Sequence, residues 1–328
     1  MQDMPNQYRI ITAGAGWIDR RSAARLRFDG VDWAAFLQGL LTNDVLALGR
    51  GRGAYAAYLT PQGRMITDLR LYHRGEWLMA EVGAGRANEF AERFDGLVFS
   101  EDVHVTDVSA HHGHLSVIGT EAPARLAQAL GLDAEALSGL AVFDQLDIEE
   151  GFVARTDDTT WPSFDVFTPA AVRDETVSRL TAAGIEPVSE TLAEALRIEA
   201  GRPAFGADMT EETIPLEAGL LERAISTTKG CYVGQEVVIR ILDRGGGRVA
   251  RQLVTLMFEP SAGVEPEAGI PLSVEGQDVG HVTSVAFSPT HERFVALGYL
   301  KRDVAEVGTE VKAAVSGTSV SAEVTALA

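Results

Sequence analysis

Thr228-Lys229-Gly230-Cys231-Tyr232-Val233-Gly234-Gln235-Glu236 is the stretch on which the reading of this chain turns. It holds the single cysteine of 328 residues, so no internal disulfide can form. Lys229 stands two positions before the thiol, and a nearby cation favours a thiolate. Gly230 and Gly234 permit close backbone approach or a positive φ. Residues 235–242 read as a short helix, which sets Cys231 just ahead of a helix N-terminus, a second influence favouring the thiolate. The competing reading is a small buried hydrophobe, the usual fate of a free cysteine. The flanking lysine and glycines tilt the balance toward reactivity.

The pattern Lys-Gly-Cys-Tyr-x-Gly-Gln-Glu at residues 229–236 resembles the hallmark of the YgfZ-type folate-binding proteins. These are relatives of the glycine-cleavage T-protein (aminomethyltransferase) and serve in iron–sulfur cluster assembly or repair. Residues 36–45, FLQGLLTNDV, are similar to the segment that opens the folate-binding fold in both groups. Residues 196–203 resemble the family's Leu-Arg-x-Glu-x-Gly segment, and residues 214–220 its Pro-x-Glu segment. Val282-Thr283-Ser284 and residues 296–300 resemble recurrent segments of a C-terminal barrel. The resemblance runs from about residue 28 to 301. It implies an α+β protein of two α+β lobes plus a C-terminal β-barrel, with tetrahydrofolate or a one-carbon derivative as ligand.

The resemblance also implies site residues. Tyr55 and Asp68 have the spacing of the Tyr and Asp that line the folate pocket in T-proteins, where the Asp lies near the reactive nitrogen. The family's Asp-Asp pair is Thr67-Asp68 here, so one carboxylate is missing and T-protein-type catalysis is in question. Ser163-Phe164-Asp165 aligns with the Gly-aromatic-Glu whose carboxylate grips the pterin. A carboxylate suits that task, since it accepts from both the 2-amino group and N3–H. Arg197 either pairs with Glu199 or another acid, or reaches the ligand. The motif residues Gly230, Tyr232, Gly234, Gln235 and Glu236 complete the set around Cys231 and Lys229.

Residue patterning supplies the framework independently. Trp33, Phe36, Leu37, Leu40 and Leu41 recur at helical spacing after a turn, with Asp32 as the expected cap. Strands are expected at 52–60, 66–72, 77–82, 103–108, 115–118, 145–154 and 163–167. In the second of these, Ile66, Asp68, Arg70 and Tyr72 share one face, while Thr67, Leu69 and Leu71 share the other. Helices are expected at 85–94, 121–130 and 170–183, and after a capping box at Thr191-Leu192-Ala193-Glu194. Gly245-Gly246-Gly247 is the clearest linker. Beyond it, short runs near 249–259, 270–275, 278–287, 293–300, 311–315 and 319–326 read as a small barrel or sandwich. The expected division is a folate-binding region at 1–245, with an inner lobe at about 50–135, and a β-domain at 248–328.

Composition narrows the function classes. A hydrophobic fraction of 46% and a charged fraction of 23% belong to an ordinary soluble globular protein. No stretch reads as membrane-spanning, the first residues lack a signal-peptide pattern, and the single cysteine suits a reducing cytoplasm. A net charge of −19 disfavours nucleic acid and anionic membrane as partners. Arg240, Arg244, Arg248 and Arg251 form a local basic cluster, either a solvated face or an anchor for an anionic tail such as the glutamates of a folate. Gly14-Ala15-Gly16 lacks the third glycine of a dinucleotide fingerprint, since Asp19 stands there. His111, His112 and His114 read as a polar strand end rather than a metal site, and no cysteine set holds a cluster.

Three functions compete. The leading one is a folate-dependent accessory factor for iron–sulfur client or assembly proteins, with Cys231 as the contacting thiol. The alternative is an enzyme of the T-protein class that moves a one-carbon group onto tetrahydrofolate. The third is a binding module in which the folate fold only presents a surface.

Overall fold

The computed structural model describes residues 4–260, 264–315 and 317–327. α1 (Met4–Ala13) leads into β1 (Gly16–Asp19) and β2 (Ala24–Asp29). α2 (Trp33–Leu40) precedes the meander β3 (Gly53–Leu59), β4 (Met65–His73) and β5 (Leu78–Val82). Then come α3 (Ala87–Asp95), β6 (His104–Asp107), β7 (His112–Ile118), α4 (Ala122–Leu130) and α5 (Ala134–Ser138). The next group is β8 (Gln145–Ile148), β9 (Gly151–Thr156), β10 (Ser163–Pro169), α6 (Arg173–Ala182) and β11 (Glu186–Pro187). α7 (Glu190–Glu199), α8 (Leu221–Ala224) and α9 (Gln235–Asp243) follow. The C-terminal strands are β12 (Arg251–Phe258), β13 (Pro271–Val274), β14 (Gln277–Ser288), β15 (Arg293–Lys301), β16 (Glu310–Val315) and β17 (Thr318–Leu327).

These strands form three assemblies. One sheet has the order β3-β4-β5-β2-β6, a second β11-β1-β7-β10-β9-β8, and the last six strands close into a barrel, β12-β15-β14-β13-β16-β17. Two α+β lobes and a C-terminal barrel are therefore present, as the sequence implied. The barrel's alternation is plain in β16, where Val311, Ala313 and Val315 are buried between exposed Glu310, Lys312 and Ala314. The inner lobe falls elsewhere than at 50–135. The five-stranded sheet draws its strands from 24 to 107, because β2 inserts between β5 and β6, while β7 joins β1 and β10 in the other sheet.

Several local expectations shift. The 145–154 run is a hairpin, with β8 and β9 on either side of a turn at Glu149-Glu150. Ser189, not Thr191, caps α7, its side chain accepting from Leu192 N at 3.2 Å. Asp32 does not cap α2; its carboxylate accepts Asp102 N–H at 2.9 Å and ties two loops together. In β4 a bulge between Tyr58 and Leu59 of the partner strand leaves Ile66 without an opposite residue. Ile66 accordingly joins the core of Leu69 and Leu71, while Tyr72 packs in the other cluster. Among the described residues no helix is long and apolar enough to cross a membrane.

Candidate functional site

Strands β4, β5 and β7, helix α7 and barrel strand β14 face one another around a cavity of about 850 Å³. Tyr55, Asp68, Arg70, Glu81, His114, Ser116, Arg197 and Arg223 all line it. Tyr55 lies on β3 and Asp68 on β4, offset by two positions in the register, so both side chains rise from one face. The Tyr55 hydroxyl donates to Asp68 Oδ2 at 2.5 Å. Burial pushes the Tyr55 phenol well above its usual pKa, and the adjacent Asp68 charge adds to this. The Arg223 guanidinium lies 4.3 Å from the Tyr55 ring centre and is itself held by Asp157, through Nε at 2.9 Å and NH2 at 2.6 Å.

Asp165 lies behind the cavity wall rather than in it. Its side chain is 1% exposed. Register pairs it with Ser116 on β7, whose hydroxyl donates to Asp165 Oδ1 at 2.5 Å. His114 Nε2 and Arg70 NH1 stand 3.3 and 3.5 Å from Oδ2. Burial pushes this carboxyl up, but His114, Arg70 and the Ser116 bond together hold it well below the usual carboxylate range. Asp165 is absent from the cavity lining, whereas Ser116, His114 and Arg70 are part of it. In this arrangement Asp165 faces Ser116, His114 and Arg70, the groups that line the cavity. His114 is likewise no polar strand end but a buried ring stacked 4.2 Å from Phe167.

Glu81, His114 and Asp165 bring ligand atoms within 4.8 Å of one another, the composition of a metal set. Arg70 stands among the two carboxylates, 3.6 Å from Glu81 and 3.5 Å from Asp165, and supplies the positive charge they need. Arg25, fully buried, adds a second guanidinium 3.4 Å from His114 Nδ1. The cluster is therefore organised around guanidinium groups.

Arg197 pairs with Glu194 and Asp208, at 2.6 and 2.7 Å, not with Glu199. It also donates to Ser284 Oγ of the barrel at 3.0 Å. Arg202 is matched with Asp157 at 3.2 Å and Arg70 with Asp158 at 2.7 Å, whereas Arg20, also in the lining, donates to Ser116 Oγ at 3.3 Å.

The Cys motif forms a separate feature. Lys229 Nζ donates to Gln38, Leu41 and Asn43 carbonyls at 2.7, 2.6 and 2.8 Å, at the C-terminal end of α2. Burial draws its pKa down to about 8, with Asp44 opposing. The ammonium's hydrogen bonds thus go to carbonyls at the end of α2. Cys231 itself is exposed and is not part of the cavity lining. Tyr232 is buried, with Lys229 Nζ 5.2 Å from its ring centre. Gly234 has φ +83° and caps α9, and a Cβ there would meet Thr60 O at 2.5 Å. Gly230 has no such need; an added Cβ would meet nothing within 4 Å. Gln235 opens α9 and Glu236 is exposed on its first turn. Arg240, Arg244 and Arg248 lie outside the cavity lining, and Arg251 pairs with Glu217 at 3.0 Å.

Residues 3–229 match the family model described as GCVT N-terminal domain, and residues 251–328 match the glycine cleavage T-protein C-terminal barrel domain. The chain belongs to the glycine cleavage T-protein family. An aminomethyltransferase of Rubrobacter xylanophilus is 32% identical over 94% of this chain and 84% of its own length. One of Geobacillus kaustophilus is 29% identical, over 97% of this chain and 88% of its own. The crystal structure of the glycine cleavage system aminomethyltransferase T from Bartonella henselae covers 98% of this chain and 88% of its own, with a TM-score of 0.88. Its identity of 24% speaks for the fold alone.

Within this T-protein fold the sequence reading had found Tyr55, Asp68 and Arg197 in the cavity and had missed Glu81, His114, Ser116 and Arg223. Glu81 sits in Met79-Ala80-Glu81-Val82, an ordinary strand with one half-buried acid. Its signal was faint: an acid inside a strand next to one already carrying Asp68 and Arg70. Thr67, where the family pair has a second Asp, is fully buried and outside the lining. Strand alternation turns that position away from Asp68.

Proposed function

We propose that the protein binds a reduced folate in this cavity and moves a one-carbon unit onto it, as a folate-dependent aminomethyltransferase. The observation that carries this reading is Asp68. It lines the cavity, is aimed by the Tyr55 hydroxyl, and has no ion pair among the described residues, while Arg70, Arg197, Arg202 and Arg223 are matched to other acids. Tetrahydrofolate supplies an amine nitrogen that accepts the one-carbon unit. Asp68 accepts a hydrogen bond from that amine and offsets the positive charge that grows on nitrogen as the new bond forms. Tyr55 keeps the carboxylate pointed at it. Relatives carrying the aminomethyltransferase name match nearly the full chain, which supports the reading. Tetrahydrofolate is expected to bind in calorimetry. Asp68→Asn is expected to bind it within a few-fold and to lose about 10²–10⁴-fold in methylenetetrahydrofolate formation. A parent protein that binds no reduced folate overturns the reading.

A second reading follows from the Cys motif, which the cavity chemistry leaves unused. The exposed Cys231 stands on a loop strapped to α2 by Lys229, open to a protein partner. Under this YgfZ-type reading the protein is an accessory factor for iron–sulfur assembly or repair, and the thiol contacts the client. Cys231→Ser is then expected to melt and bind folate like the parent, yet fail to restore iron–sulfur enzyme activity in a strain lacking the protein. Full restoration by that variant sinks this reading. Both readings assign folate to residues 1–245 together with the barrel at 248–328, and both belong in a reducing cytoplasm.

A further inference from the structure

Asp29 pairs with His104 where β2 ends and β6 begins, and just beyond that pair the loops 30–32 and 97–102 meet. None of their residues lines the cavity. Val98 packs against the core of the lobe and Val103 is part of it. Phe99 lies between them in the chain and is 96% exposed, with Val31 83% and Leu97 44% exposed. The loops hold this arrangement in place. Glu101 Oε2 accepts the backbone N–H of Phe99 and of Ser100, both at 2.9 Å. Asp102 N donates to Asp32 Oδ2 at 2.9 Å, Asp32 N to Asp102 O at 3.2 Å and Val31 N to Asp102 Oδ2 at 3.4 Å. Gly30, at φ +101°, lets the loops touch, since a Cβ there would meet Asp102 O at 2.0 Å. Single exposed apolar side chains are ordinary, but three on one laced pair of loops form a surface left open to a partner.

We propose that this tip docks a protein whose apolar pocket is rimmed by lysine or arginine, with Phe99 as the anchor that enters the pocket. The charges select the occupant. Asp32, Asp95 and Glu101 flank the tip and have no ion pair among the described residues, and Asp102 has only the His104 ring, at 4.0 Å. The cations of the adjoining elements are engaged elsewhere: Arg27 on β2 pairs with Asp29 at 2.6 Å, and Arg93 on α3 lies over the Tyr58 ring. Like charge turns away a phosphate backbone, an anionic lipid surface and a second copy of the same acidic tip. An aromatic centre inside an acidic rim is matched by an apolar pocket inside a basic one. The aromatic ring supplies the buried area, and the rim supplies orientation and rate of encounter.

The test begins with Phe99→p-benzoylphenylalanine in the full chain, which sets a photocrosslinker on the tip inside the cells that make the protein. The captured protein is identified by mass spectrometry, purified and titrated against the uncrosslinked parent and its variants. Phe99→Ser is expected to weaken that binding about tenfold or more, as loss of an aromatic anchor does. Phe99→Leu, which keeps an apolar anchor, is expected to retain part of it. Asp95→Lys, or a rise from about 0.05 to 0.5 M salt, is expected to weaken it severalfold. Phe99→Ser is expected to keep the parent's melting temperature and its affinity for tetrahydrofolate, because the ring is exposed and outside the cavity. Absence of any captured protein overturns the proposal, as does a crosslink only to a second copy of the chain. A captured protein whose affinity ignores Phe99→Ser, or ignores both salt and Asp95→Lys, overturns it too. Phe99-dependent sedimentation of the parent with phosphatidylcholine vesicles assigns the tip to a lipid surface instead.

Discussion

Asp165 keeps its charge where water does not reach it, because the Arg70 guanidinium, the His114 ring and the Ser116 hydroxyl face its two oxygens. Asp165→Asn leaves Arg70 and His114 facing a neutral amide, and breaking a buried pair in this way costs about 3–5 kcal/mol. The pH dependence has a definite sign. The folded-state pKa lies below the ordinary value of 3.8. The unfolded chain therefore takes up a proton that the folded chain refuses, and the charge contributes its full stability above about pH 4. That contribution drains away as pH falls below the unfolded value. Urea unfolding of parent and variant is expected to show the full gap at pH 7 and a narrowing gap below pH 4; a constant gap would contradict the charge pairing. At this scale the sequence was half legible. Asp68 and Tyr55 were implied by the family resemblance alone. Glu81 and His114 could not be read, because each sits in an unremarkable strand and acquires its role only when β4, β5 and β7 are brought together. The depth of Asp165 was not legible, since the residue string does not say how far a strand position lies from a cavity.

Lys229 joins two elements far apart in the chain, and its effect is best measured on them. The last carbonyls of a helix have no partner within it, and a lysine at that end meets both the orphan acceptors and the negative end of the dipole. Nζ takes up three carbonyls at the end of α2 and just beyond it, while Val233 N donates to Gly39 O at 3.1 Å and Ser226 N to Thr42 O at 3.0 Å. Lys229→Met keeps the stem and removes the donors. It is expected to cost about 1–3 kcal/mol, lower the melting temperature, and speed amide exchange at Ser226 and Val233 more than in the barrel. Unchanged exchange at those amides would show that the strap is held by other contacts. The elements themselves were largely legible from periodicity, the barrel strands nearly to the residue, since β16 and its neighbours alternate without interruption. Periodicity failed where a single residue breaks it. The bulge in β4 sends Ile66 to the face opposite its expected one, and nothing in the residue types announces the insertion.

The molecule closes its cavity by tying α7 to the barrel. Arg197 on α7 reaches Asp208 and Ser284, and Thr283 Oγ1 donates to Asp208 Oδ1 at 2.5 Å, so one fully buried acid joins the lobe and β14. Ile198, Leu253, Val295, Leu297 and Tyr299 form an apolar cluster at the same joint. The lobes and barrel were readable as separate patterns on either side of Gly245–Gly247, but this joint was not, because its partners lie some 75 to 87 positions apart in the chain. Arg197 also lines the cavity, so its two possible roles, ligand contact and tie, separate by measurement. As a tie, Arg197→Ala strands the Asp208 charge and is expected to cost about 3–5 kcal/mol, with folate affinity falling because the walls no longer meet in register. Arg197→Lys keeps the charge but not the planar fork that serves Glu194, Asp208 and Ser284 at once, and is expected to fall between parent and Ala. Scanning calorimetry with and without tetrahydrofolate reads both quantities. A melting temperature that holds in Arg197→Ala while folate affinity collapses would make this arginine a ligand contact. A loss of both, with Arg197→Lys intermediate in each, assigns it to the joint on which the cavity depends.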